Sequence, residues 1–130
     1  MTLCNGWLVI AVVDNEESVR KAVVRVLQAA GLPARAFASG TEFLNSWHFD
    51  PPECLVLDLA MPDLSGMEVL QSLTMAGAQF PIIIITAHDL PSLREECMSA
   101  GAIAYLCKPL DLQTLIKAVS PHSSPRPDNS

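Results

Sequence analysis

Positive charge is scarce in this chain. Eight lysines and arginines stand against fourteen aspartates and glutamates in 130 residues, a net charge of -6. A nucleic-acid-binding domain needs a basic face, so direct binding of DNA or RNA is not expected of these residues. Metal-finger and redox spacings are missing as well. Cys4, Cys54, Cys97 and Cys107 form no C-x-x-C pair and keep no ligand-like spacing with the three histidines. They read as buried apolar thiols of a reducing cytosol. No hydrophobic run reaches the roughly 20 residues a membrane helix requires. The apolar run 7–13 lacks a basic leader and ends in Asp14, so it reads as a strand and not as a signal peptide.

What the chain does have is apolar residues, half of the total, in a length that suits one domain with a real core. Five short apolar runs alternate with helical patterns. Runs 8–13 and 54–57 are almost wholly apolar, as central parallel strands covered on both faces must be. Run 82–86 is the strongest strand signal, 103–106 is weaker, and 34–38 is short enough for an edge. Between the first two runs, Val19, Ala22, Val23, Val26, Leu27 and Ala30 recur at helical spacing until Gly31 and Pro33 stop them.

Ser39 and Glu42 predict a capping box for a short second helix bearing Phe43, Leu44 and Trp47. Val69, Leu70 and Leu73 mark a third helix after Gly66. A fourth begins near Asp89 or Ser92, and a fifth carries Leu112, Leu115, Ile116 and Val119 behind an Asp111 cap. Five repeats of strand then helix predict an α/β fold, an open doubly wound parallel sheet with helices on both faces. Residues 1–119 form the predicted domain. Residues 120–130, with three prolines, four serines and no periodicity, read as a disordered tail or the start of a linker.

Ligands of such sheets bind beyond the carboxyl ends of the strands. There the chain places Asp14-Asn15-Glu16-Glu17 after the first strand, Asp58 at the end of the third, Thr86-Ala87-His88 after the fourth and Lys108-Pro109 after the fifth. Asp58 is the odd residue of the group, because a carboxylate closing a buried run is costly unless something pairs it. Two acidic segments, a hydroxyl and a lysine on one sheet edge make the inventory for a hard cation and a phosphoryl group.

The segments "VVDNEESVRKAVVRVLQAAG", "LVLDLAMPDLSGMEVL", "PIIIITAH" and "GAIAYLCKPLD" resemble the receiver domains of two-component response regulators, most closely the FixJ-like ones. The resemblance spans residues 8–119. It implies a flavodoxin-like (βα)5 sheet of strand order 2-1-3-4-5, and Asp58 as acceptor of a phosphoryl group from a sensor histidine kinase. It also implies that Lys108 and Mg²⁺, or Mn²⁺ in its place, offset charge on the phosphoryl oxygens. The metal would sit on Asp14, Asn15, Asp58 and the Ala60 carbonyl. Thr86 and Tyr105 are the implied switch pair, acting through helix four, strand five and helix five on an output domain that controls transcription. A phospho-dependent homodimer on that face, a cytoplasmic setting without membrane contact, and dephosphorylation tuned by Ala60 and His88 complete what the resemblance implies. Beyond self-phosphorylation from phosphodonors and autodephosphorylation, no enzyme activity is expected.

One position departs from the family pattern. Asn15 stands where receivers present a second acid, which removes a negative charge from a hard-cation site. Glu16 is expected to open the first helix with its side chain turned away from the pocket. Asn15 motivates an alternative, a degenerate receiver that dimerises or binds partners without phosphate. A small Mg²⁺-dependent phosphatase ranks lower, since such enzymes place a second aspartate two residues after the nucleophile, where this chain has Ala60.

Overall fold

Consecutive isoleucines cannot alternate between core and solvent, so a strand such as 82–86 requires cover on both of its faces. The computed structural model, which describes residues 9–61, 64–88 and 90–119, supplies that cover. Along the chain run β1 (Ile10–Val13), α1 (Glu17–Ala29), β2 (Ala34–Phe37), α2 (Gly40–Leu44) and β3 (Cys54–Asp58). They are followed by α3 (Gly66–Met75), β4 (Ile82–Thr86), α4 (Pro91–Ser99), β5 (Ala104–Cys107) and α5 (Leu112–Val119). The strands form one parallel sheet in the order β2-β1-β3-β4-β5.

Because side chains alternate along a strand, each central strand feeds two cores. Ile10, Val12, Cys54, Val56, Ile83 and Ile85 pack with Val23 and Leu27 of α1 and with Leu115 and Val119 of α5. Ala11, Val13, Leu55, Leu57, Ile82 and Ile84 pack with Phe43, Val69, Leu70, Leu73 and Cys97 from α2, α3 and α4. The first helix and the last cover one face, and the middle three cover the other. The chain reverses its direction of travel across the sheet between β1 and β3, which opens a crevice at their carboxyl ends.

The expected elements are present, with adjusted ends. The last strand lies one residue later than 103–106, and Ile103 is 41% exposed just before it. The second helix stops at Leu44, so Trp47 follows it in a turn and reaches the core through an edge contact with Phe80. Its capping box is only half formed. Ser39 accepts the Glu42 N–H, but the Glu42 carboxylate returns to the N–H of Ala38. A complete box occurs instead at α3, between Ser65 and Glu68. Asp111 caps α5 by accepting from the N–H groups of Gln113 and Thr114. Pro62, Asp89, residues 1–8 and the tail 120–130 lie outside the described residues.

Candidate functional site

Strand register builds the site. Val13 pairs with Leu57, so the next residues, Asp14 and Asp58, end adjacent strands side by side. Asp58 pairs with Ile85 and Thr86 with Cys107, which sets Thr86 and Lys108 one step farther out on β4 and β5. All four elements deliver their polar side chain to the same crevice.

Asp14 is fully buried and Asp58 is 2% exposed. The Lys108 ammonium lies between them, its Nζ 3.0 Å from Asp14 Oδ2 and 3.5 Å from Asp58 Oδ1. It also lies 3.1 Å from Glu16 Oε1. Glu16 does occupy the cap position of α1, but its side chain turns toward the pocket. The expectation that it points away is therefore wrong. A lysine arriving from 92 residues later attracts it, and helix direction alone could not show that.

Burial pushes the Asp58 carboxyl up to about 6, with the neighbouring Asp14 charge adding to the effect and Lys108 and the Ala60 N–H opposing it. For Lys108, burial works against the charged form. Its close contacts with Asp14 and Glu16 and the charges of Asp58 and Asp14 outweigh this and hold it above the usual lysine value.

The opening of the loop after β1 is fixed from both sides. Asp14 Oδ1 accepts the Glu16 N–H at 2.9 Å, and Arg20 Nη1 donates to the Asp14 carbonyl at 2.7 Å. Sequence reasoning missed Arg20. The available signal was its position at the end of the first turn of an amphipathic helix, on the side facing the strand end. Below Asp58, the Gly66 N–H donates to the Leu59 carbonyl at 2.8 Å. A Cβ on Gly66 would overlap the Asp58 carbonyl oxygen and the Leu59 Cα, so this position admits no side chain. That accords with a purely structural role for Gly66.

Thr86 is 1% exposed and engaged with its own loop. Its hydroxyl accepts the His88 N–H at 3.0 Å and faces the His88 carbonyl at 3.4 Å. Tyr105 is turned inward, 4% exposed, with its hydroxyl donating to the same carbonyl at 3.2 Å. His88 enters this network through its backbone, and its residue surface is exposed, as is that of Ala60.

Charge and donor chemistry decide whether a hard cation fits. Three carboxylates share one ammonium, and buried Asp14 Oδ2 pairs with it by charge without a hydrogen bond of good geometry. The pocket is short of positive charge and lined by oxygen, which suits Mg²⁺. Among the described residues, no three His, Cys, Asp or Glu side chains are grouped to hold a metal by themselves. A cation would therefore need amide or backbone oxygens beside Asp14 and Asp58. Asn15 is exposed at the mouth of the crevice, next to Asp14, and carries such an oxygen.

Residues 10–120 match the family described as response regulator receiver domain. The chain belongs to that family. The receiver is 37% identical over 112 residues to the response regulator protein TmoT of Ectopseudomonas mendocina, covering 85% of this chain and 50% of that one. It thus spans about half the length of the curated relatives it matches. The crystal structure of FixJ-N superposes with a TM-score of 0.83 at 33% identity, covering 92% of this chain and 95% of the other. The chemotaxis protein CheY4 of Vibrio cholerae gives 0.83 at 27% identity over 90% and 99%. Among the described residues, no helix is long and apolar enough to cross a membrane.

Proposed function

We propose that Asp58 accepts a phosphoryl group from the phosphohistidine of a sensor kinase. The observation that carries this reading is the Lys108 ammonium held between two buried carboxylates at the carboxyl edge of the sheet. An Asp58 oxygen attacks phosphorus in line as the bond from phosphorus to the imidazole nitrogen breaks, leaving an acyl phosphate on Asp58 and a free histidine on the donor. Lys108 pairs with a phosphoryl oxygen, and Glu16 and Asp14 hold that lysine in place. Asp14, Asn15, Asp58 and the Ala60 carbonyl would hold Mg²⁺, or Mn²⁺, which would supply the remaining positive charge.

Thr86 then exchanges its loop partner for a phosphoryl oxygen, and with Tyr105 it carries the change to the surface formed by α4, β5 and α5. That surface acts on an output domain controlling transcription and self-associates in the phosphorylated form. Dephosphorylation is governed by what stands at Ala60 and His88. An apolar groove of about 260 Å³ beside Lys108, lined by Val19, Ala22, Val23, Pro109 and Leu110, suits the apolar face of a kinase helix presenting the donor histidine. The setting is the bacterial cytoplasm.

Intact mass after incubation with acetyl phosphate and Mg²⁺ tests the reading. One phosphoryl group should be added to the native chain and none to Asp58→Asn. Phosphorylation that persists in the variant moves the acceptor elsewhere. No uptake by the native chain favours the phosphate-independent alternative that Asn15 suggests.

A further inference from the structure

Tyr105 is the single tyrosine of the chain, and its ring is turned inward, 4% exposed. Two of its contacts favour that position. Its hydroxyl donates to the His88 carbonyl, and the guanidinium carbon of Arg94 lies 5.0 Å from the centre of its ring. Arg94 projects from α4 at an exposed position, and among the described residues it forms no ion pair, although Glu95 and Glu96 follow it directly. A guanidinium over an aromatic face is attracted by the negative charge of the ring's face, and more strongly where the ring is shielded from water, as here.

We propose that Arg94 is a positioning residue which holds the ring of Tyr105 inward, so that the inward ring prevails in this receiver without phosphate. Turning the ring outward breaks the hydroxyl bond and the guanidinium contact together, and it empties a place in the core on that face of the sheet. The guanidinium alone biases the ring inward by about two- to fivefold. The consequence for signalling rests on the phosphoacceptor reading: arrival of the phosphoryl group would recruit Thr86 without first having to turn Tyr105. The position of the ring is independent of that reading.

Because there is one tyrosine, 3-fluorotyrosine incorporation yields one ¹⁹F resonance, and its shift between H₂O and D₂O reports exposure of the ring. The unphosphorylated native chain should show a protected ring. Arg94→Met keeps an unbranched stem but removes the guanidinium and its charge, and should raise the outward population by about two- to fivefold with a larger isotope shift. Arg94→Lys, which keeps a cation, should restore most of the protection. A solvent-exposed ring in the native chain overturns the proposal. So does an Arg94→Met spectrum identical to native, or an Arg94→Lys spectrum identical to that of Arg94→Met. Circular dichroism of each variant checks that the exposed substitution has left the fold intact. Weighing the same samples after acetyl phosphate and Mg²⁺ separates the two ideas, since failure of the native chain to gain mass counts against Asp58 alone.

Discussion

Helices α3 and α4 pack on the same face of the sheet, one on either side of β4, yet they are held very differently. Helix α3 begins with a complete capping box, buries Val69, Leu70 and Leu73, and brings Gly66 against the backbone of Asp58. Helix α4 begins at Leu90 and Pro91 with no side-chain cap and buries only Cys97. At roughly 1.5–3 kcal/mol for each fully buried large aliphatic side chain, the difference in anchoring amounts to several kcal/mol. The loop after Asp58 thus rests on a fixed support, and the helix beside Thr86 and Tyr105 is the one free to adjust. A switch needs both, because a displaced α4 carries information only if the proposed acceptor site does not move with it.

The largest effect should come from Gly66→Ala. The new methyl group meets backbone on two sides, so neither a rotamer change nor a side-chain shift relieves it. Urea denaturation should show a loss of roughly 4 kcal/mol or more, or no folded protein. A small loss would mean that α3 can lift away from Asp58, and the contrast with α4 would fail.

Core truncations measure the contrast directly. Leu73→Ala should cost about 2–5 kcal/mol. Cys97→Ala should cost about 1 kcal/mol, because less surface is lost and α4 can settle toward the sheet. Equal costs would place the two helices on the same footing.

Asp58 tests what the fixed side must tolerate. Its carboxyl ordinarily titrates near 3.8, and in the fold it is pushed up to about 6, first by burial and then by Asp14. Between those values the folded chain holds a proton that the unfolded chain releases. Stability therefore falls as pH rises through that window, and the penalty is complete above about pH 6. Without divalent cations, Asp58→Asn should be about 1–2 kcal/mol more stable than native at pH 7.5, after discounting for solvent at the strand end. The gain should shrink toward zero near pH 4. A stabilisation that does not vary with pH would mean that the charge is not its source.

These asymmetries were only partly legible in the sequence. Four isoleucines and a threonine in a row fixed β4 to the residue, because nothing but a doubly covered strand accommodates them. The neighbourhood of Asp14, Asp58, Thr86 and Lys108 followed from strand ends alone, since parallel register aligns them. The capping box of α3 was present in plain spelling, Ser65-Gly-Met-Glu68, but the glycine after the serine directed attention to the turn instead. Glu16 was not legible, because it is aimed by Lys108, 92 residues away, which only tertiary packing brings near, whereas the bond of Arg20 to the Asp14 carbonyl spans six residues and lay within reach of the helix pattern. Local pattern places backbone. It does not aim long polar side chains.

The smallest effects concern the helix starts, and they can erase the contrast from either end. Ser65 Oγ accepts the Glu68 N–H at 3.2 Å, and the Glu68 carboxylate accepts the Ser65 N–H at 3.0 Å. Ser65→Ala removes the first of these bonds and frees the glutamate, at a cost of about 1 kcal/mol. At α4, Leu90 already has the extended backbone of a cap residue, with φ -116° and ψ 131°, and its side chain is 52% exposed. Leu90→Asp adds an acceptor for the free N–H groups of the first turn and a negative charge at the positive end of the helix dipole. It should stabilise the protein by about 0.5–1 kcal/mol. Amide exchange resolves where the changes fall. Protection should drop across the first turn of α3 in the serine variant and rise across the first turn of α4 in the aspartate variant. If Leu90→Asp leaves exchange in α4 unchanged, the missing cap is not what leaves that helix loose, and the shortage of buried side chains must account for it alone.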